Sequence, residues 1–378
     1  MVVAEIVPYR PYVLPKQIPA LTGLRAVAAL LVLGIHTDQT EPSQIKTFLP
    51  FLGQGHLGVD LFFILSGFII THVYLANLRE PSWRAVRIFL WHRLVRLYPV
   101  HVTVLFGLIC MISIAKSAHL EFNGAGWEYV DLIWHLLLVQ AWGVSNIPTW
   151  NVPSWSISVE WFMYLMFPPL APLLARINNG NSALVLAAIS LMAMTGAFVL
   201  FGWPLSSWVG VPALARVAGE FLCGATLCRG LSLDTRFGRG RWSGDAIGAG
   251  AFAAFLVCSS MALSEFLSVG LLAVAIAGVA ESSGLLSRIL SCALLVWLGE
   301  ISYSVYMVHF PVLIVLRRLF EKIGYAGLPQ IGRVDAFFVT ALPIIAVSAV
   351  VFYVVERPVR TRLRDRMGIL RAPSAVVS

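Results

Sequence analysis

The stretch RAVAALLVLGIH, residues 25 to 36, carries an arginine at one end, a histidine at the other and no other ionisable group. A guanidinium binds phosphate or carboxylate oxygens through paired donors, and an imidazole can take or give a proton near neutral pH. At about 100° and 1.5 Å per residue, Arg25 and His36 project from nearly the same face of a helix, about 16 Å apart along its axis. Ionisable groups in so apolar a helix are expensive and usually face a protein interior or a wet cavity. The pair therefore reads as a cationic mouth and a deep base on one wall of a tunnel. Alternatively, it marks the two helix ends, with Arg25 snorkelling to lipid phosphates.

Four further stretches add groups of the same kind. GVDLFFILSGF (58–68) places Asp60 where a carboxylate could fix the tautomer of His36 and stabilise its imidazolium. RAVRIFLWHRLVRLYPVH (84–101) holds Arg84, Arg87, Arg93 and Arg96, with Arg79 before it and no lysine. Arg84 with Arg87, and Arg93 with Arg96, share helical faces, and arginine alone favours bidentate phosphate contacts over a simple charge signal. In PSWSISVEWFMYLMFPPL (153–170), Ser156 and Glu160 lie four apart on one face. Trp155, Trp161 and Tyr164 there form an interfacial aromatic belt or a sugar platform. GEISYSVYMVHFPVL (299–313) puts Ser302, Tyr306 and His309 on one face. Tyr303 and Tyr306 can hydrogen-bond inside a bundle, His309 is a core or a catalytic histidine, and Glu300 can pair with an arginine.

The elements that must position these groups follow from composition. The 378 residues are 58% hydrophobic and only 12% charged, about half the charge density of soluble domains. This is an all-α, polytopic membrane helix bundle. About ten spans are expected, at 21–40, 56–78, 97–116, 155–175, 182–202, 212–229, 244–263, 265–284, 292–316 and 335–356. Residues 131–143 are too short to cross and read as a re-entrant or interfacial element. The arginines of 79–96, of 229–241 and of the tail all become cytoplasmic in this arrangement, as does the N-terminus. Arg317, Arg318, Lys322 and Arg333 fit it poorly. Residues 1–20 are a cytoplasmic tail without the features of a signal peptide, 21–356 the membrane domain and 357–378 a basic cytoplasmic tail. The balance of +8 reflects membrane orientation, with no nucleic-acid module beside it. The five cysteines have neither metal-ligand nor disulfide spacing, and no metal is expected. Oligomeric state is not readable.

The motifs LTGLRAVAALLVLGIH, GVDLFFILSGF, RLVRLYP, WSISVEWFMYLMFP and ISYSVYMVHFPV, in this order, resemble the membrane acyltransferase-3 family, whose Arg-x10-His motif falls on Arg25 and His36. The resemblance implies transfer of an acyl group, usually acetyl from acetyl-CoA, to a hydroxyl of a glycan or glycolipid in a bacterial inner membrane. Acyl-CoA would be held by Arg25, Arg87, Arg93 and Arg96. His92 replaces an arginine found in many relatives, which leaves individual basic contacts open. His36 would be the general base, or be acylated itself, with Asp60 or Glu160 orienting it; Asp60 is favoured because loop 41–55 is short. Ser156 or Tyr303 could stabilise the oxyanion, and Trp155, Ser156, Tyr303 and His309 would line the acceptor site. The rival class is a proton-coupled transporter or flippase, and a structural subunit of a glycan-assembly complex is a third possibility.

Overall fold

A computed structural model describes residue 14 and residues 17–40, 49–119, 127–233, 243–322 and 335–366. Most of the N-terminal tail, the charged residues 234–241, the loop from 323 and the tail beyond 366 lie outside the described residues. In lipid every backbone N–H and C=O must be paired within the protein, which a helix does within its own segment, and the described regular structure is helical throughout. The long helices are α1 (Pro19–Thr40), α2 (Gly58–Leu78, entered through a 3-10 segment, Pro50–Leu57) and α3 (Trp83–Ser117). After the short α4 (Leu132–Leu137) come α5 (Trp155–Arg176), α6 (Gly180–Phe201), α7 (Gly210–Ser232), α8 (Ser243–Ser260) and α9 (Glu265–Glu281). The six-residue α10 (Leu285–Leu290) leads to α11 (Ala293–Lys322). The chain ends in α12 (Asp335–Val351), a π-helical turn (Phe352–Glu356) and α13 (Arg357–Arg366).

Each of the ten expected spans coincides with one long helix. Nine helices among the described residues are long and apolar enough to cross a bilayer, and α9 is a tenth apolar helix of 17 residues. The expected short element is α4, which stops at Leu138, where φ is 59°. At about 1.5 Å per residue it is far shorter than the bilayer core.

Two boundaries differ from expectation. The arginine-rich segment before residue 97 is no separate surface stretch. It is the first half of α3, capped by the Ser82 hydroxyl accepting from the Ala85 N–H, and it carries Arg93 and Arg96 into the bundle. The basic tail, as far as described, continues the last span as α13 and docks on α3, where Trp91 Nε1 donates to the Leu363 carbonyl at 2.8 Å.

Packing sets the depth of every candidate group. α1 and α11 approach so closely that a Cβ on Gly299 would overlap the Thr22 carbonyl. Their polar faces, Arg25 to His36 and Tyr303 to His309, are thereby brought together. α1 and α2 run antiparallel. Leu52 lies against Gly34, and Gly58 sits so close to the Ala28 carbonyl that no side chain fits there.

Candidate active site

Two adjoining cavities open along the shared wall of α1, α2, α3 and α11. The wider, of about 380 Å³, lies at the arginine-rich end and is bordered by Gln17, Thr22, His72, Glu300 and Arg360. The narrower, of about 110 Å³, continues inward between Ser66, Arg93, Ser156, Glu160, Tyr164 and Tyr306. Arg25 and Arg96 border both. The inner chamber reaches Phe62 and Tyr306. The Tyr306 ring contacts His309 at 5.8 Å between centroids, and His309 meets His36 edge-to-face at 4.8 Å.

Both imidazoles are anchored through the same atom. His36 Nδ1 donates to the Val32 carbonyl at 2.8 Å, and His309 Nδ1 to the Tyr306 carbonyl at 2.6 Å. A neutral imidazole donating through Nδ1 carries its lone pair on Nε2, so each ring has its basic nitrogen at the other end. His309 Nε2 is buried and accepts nothing among the described residues. Pro311, lacking an N–H, leaves the Met307 carbonyl without its helical partner. Asn151 Nδ2 supplies one at 3.1 Å, tying the segment before α5 to the histidine-bearing stretch of α11.

The arginines are held in three ways. Arg93 donates to the Tyr74 hydroxyl at 3.0 Å and lies over the Tyr74 ring at 5.1 Å. Arg96 is ion-paired with Glu356 and lies over the Tyr303 ring at 5.1 Å. Glu356, fully buried in the π-helical turn, also accepts from the Ser304 hydroxyl at 2.7 Å. Facing them, Glu160 receives two hydroxyls on one oxygen, Oε1: Ser66 at 2.6 Å and Tyr164 at 2.5 Å.

A family profile described as "Acyltransferase domain" matches residues 18–353. The chain belongs to the acyltransferase-3 family. Its relatives include acyltransferase MdmB of Streptomyces mycarofaciens, 30% identical over 94% of this chain and 95% of that protein. Peptidoglycan O-acetyltransferase OatA of Listeria monocytogenes is 26% identical over 91% of this chain. The putative peptidoglycan O-acetyltransferase YrhL of Bacillus subtilis is 26% identical over 92% of it. The chain spans a little over half the length of the latter two, 56% and 55%. No solved structure matches. The protein is thus an integral membrane acyltransferase.

In this acyltransferase the fold gathers Arg25, Arg93, Arg96, Ser156, Glu160 and Tyr303 around one chamber, with His36 and His309 just beyond it. Asp60 is not the partner of His36. Because Gly58 packs beside Ala28 and α2 runs antiparallel to α1, Asp60 lies level with Ala26, about 15 Å from His36 at helical rise. Both its oxygens are taken by Arg216, Nε to Oδ1 at 2.9 Å and Nη2 to Oδ2 at 2.6 Å. Glu160 likewise sits in the arginine-lined chamber rather than at the level of His36. Arg87 is exposed on α3 and lines neither cavity. Trp155 is no open sugar platform: it is buried, with Arg216 packed over its ring at 5.4 Å. The Tyr303 hydroxyl is already donated to the Leu97 carbonyl at 2.5 Å, and that of Ser156 to Pro153 at 3.2 Å.

Sequence reasoning passed over Arg216, Glu220 and Glu356. Arg216 and Glu220 stand four apart in an otherwise apolar span, with Arg216 Nε 3.7 Å from Glu220. Two opposite charges at that spacing are a legible signal. Glu356 is the lone carboxylate between an apolar span and a basic tail. Ser66, also in the stretch 58–68, belongs to the chamber, whereas its neighbour Gly67 packs against α7, at Phe221. No group of three or more metal-capable side chains occurs among the described residues.

Proposed function

We propose that this enzyme takes its acyl group, most simply acetyl, from acyl-CoA and transfers it to a hydroxyl of a glycan or glycolipid. The observation that carries this reading is that two adjoining cavities share Arg25 and Arg96 in their walls. A wide basic mouth adjoins, at Arg25 and Arg96, a thin chamber whose Tyr306 touches His309, the neighbour of His36. Acyl-CoA has the matching shape: a bulky anionic nucleotide, a thin pantetheine arm and a reactive thioester at its tip. The nucleotide phosphates would meet Arg25, Arg96 and Arg360 at the mouth, which supports placing that end, with both chain termini, in the cytoplasm. The arm would run between Arg93 and Glu160, whose second carboxylate oxygen can accept from the arm's amide N–H groups. The acceptor would arrive from the opposite face, and the peptidoglycan O-acetyltransferases among the relatives support a glycan.

The chemistry follows from the anchored imidazole. The Nε2 lone pair of His36 takes the proton of the acceptor hydroxyl as its oxygen attacks the thioester carbonyl carbon. The C–S bond breaks, and the leaving thiolate takes the proton back from the imidazolium. His309 Nε2, likewise a lone-pair nitrogen, accepts a hydrogen bond from a second, neighbouring hydroxyl of the acceptor and so orients the attacking one. Direct transfer needs one base and no acyl-imidazole.

The test is incubation of the purified protein in nanodiscs with radiolabelled acetyl-CoA and a glycan acceptor. Base-labile label on the glycan is expected, with loss of about 10² to 10⁴-fold in His36→Ala. Normal transfer by folded His36→Ala removes the general base. Movement of unmodified glycan or lipid without label transfer instead marks a transporter.

A further inference from the structure

We infer that Phe62, braced by Tyr306, sets the length of the acyl group this enzyme transfers, admitting groups of two or three carbons. The inference rests on the acyl-CoA reading above.

Phe62 and Tyr306 line the inner chamber, their rings edge-to-face with centroids 6.1 Å apart. Tyr306 is in turn the ring in contact with His309. The pair adjoins the histidines through Tyr306, which touches His309. The acyl group is the leading end of the donor and the part that has to reach the imidazoles. Whatever is attached to the thioester carbonyl must fit beside these two rings.

Neither ring is placed to yield. Phe62 packs against all three of the apolar clusters that make up the core. The Tyr306 hydroxyl is donated to the Pro153 carbonyl at 3.0 Å, and the adjoining turn of α11 is tied down by Asn151. Closely packed interiors resist added volume, because each extra methylene forces rings off their preferred rotamers. The chamber itself is the narrower of the two, at about 110 Å³ against about 380 Å³ for the mouth. One methylene too many in such a pocket costs on the order of 10- to 200-fold in selectivity. The apolar rings also disfavour an acyl group ending in a carboxylate, such as succinyl.

The experiment measures kcat/KM for acetyl-, propionyl-, butyryl- and hexanoyl-CoA with one acceptor. It compares the wild-type protein in nanodiscs with Phe62→Ala, Phe62→Leu and, as a remote core control, Phe255→Leu. The wild type is expected to fall at least about tenfold from propionyl to butyryl. Phe62→Ala should raise the butyryl-to-acetyl ratio by about tenfold or more, Phe62→Leu by less, and Phe255→Leu not at all. A flat wild-type series, an unchanged ratio in Phe62 variants that still transfer acetyl, or an equal shift in Phe255→Leu overturns the assignment. Loss of acetyl transfer in both Phe62 variants also counts against it, since a length filter is dispensable for its smallest substrate. If the wild type takes acyl groups from no CoA thioester, the donor reading has failed and the filter with it. Acetyl transfer with a flat series fails the filter alone.

Discussion

At the scale of the residue, the division of labour among the carboxylates is decided by which cation each one meets. Asp60 is fully buried and saturated by Arg216, whose remaining arm donates to the Leu205 carbonyl at 2.7 Å. Removing one member of such a pair strands a buried charge. Asp60→Asn is therefore expected to lower stability by roughly 3 kcal/mol, read as a drop in the unfolding midpoint in detergent. Replacing both Asp60 and Arg216 by leucine should recover much of the loss. If Asp60→Asn instead unfolds like the wild type but shifts the pH–rate profile, the pair is not structural. Arg25 makes the opposite case. Arg25→Lys should raise KM for acyl-CoA several-fold and leave the acceptor KM nearly unchanged, because a point charge replaces a bidentate fork. Equal effects on both substrates would take Arg25 out of the donor site.

At the scale of the element, the segment between α3 and α5 is held by a polar clip. His101 Nε2 donates to the His135 carbonyl at 2.9 Å. His135 Nε2 lies 2.9 Å from the Thr149 hydroxyl, and Gln140 donates to the Ser154 carbonyl at 2.9 Å. Burial, with the neighbouring His101 adding to it, pushes His135 down to about 3. Its folded value is below its unfolded one, so the unfolded chain binds the extra proton between about pH 6.5 and pH 3. The clip's contribution is complete above about pH 6.5 and is lost as the pH falls toward 3. Limited proteolysis within 131–154 should therefore accelerate from pH 7 to pH 4.5, with a protease whose own activity is corrected for. His135→Asn should flatten that dependence. An equal pH response in wild type and variant would remove His135 as its source.

At the scale of the whole molecule, the bundle is polarised. Its basic mouth, Arg79, Arg84 and α13 lie at one end; α4, the 3-10 entry to α2 and the histidine pair lie toward the other. A membrane-impermeant thiol reagent applied to intact cells should label a cysteine placed at Ser145 and spare one placed at Ser82, against a background with Cys292 replaced. The reverse pattern would put the basic mouth outside, away from the cell's acyl-CoA, and would end the donor reading.

The sequence by itself determined where the long apolar helices lie, because a run of some twenty apolar residues is long enough to cross a bilayer only as a helix that pairs its own backbone. It also determined that Arg25 and His36 share a face, since that depends on one helical period alone. What it could not fix was depth between helices. Asp60 and Glu160 each lie a few residues inside an expected span, yet one stands beside Arg216 and the other beside Ser66 and Tyr164. That outcome turns on where α2 begins and on the contact at Gly58, which lies between chains of residues far apart in sequence. The meeting of His36 with His309 is of the same kind. Each ring's helix and face could be read, but only the close approach of α1 to α11 across Gly299 put the two imidazoles together.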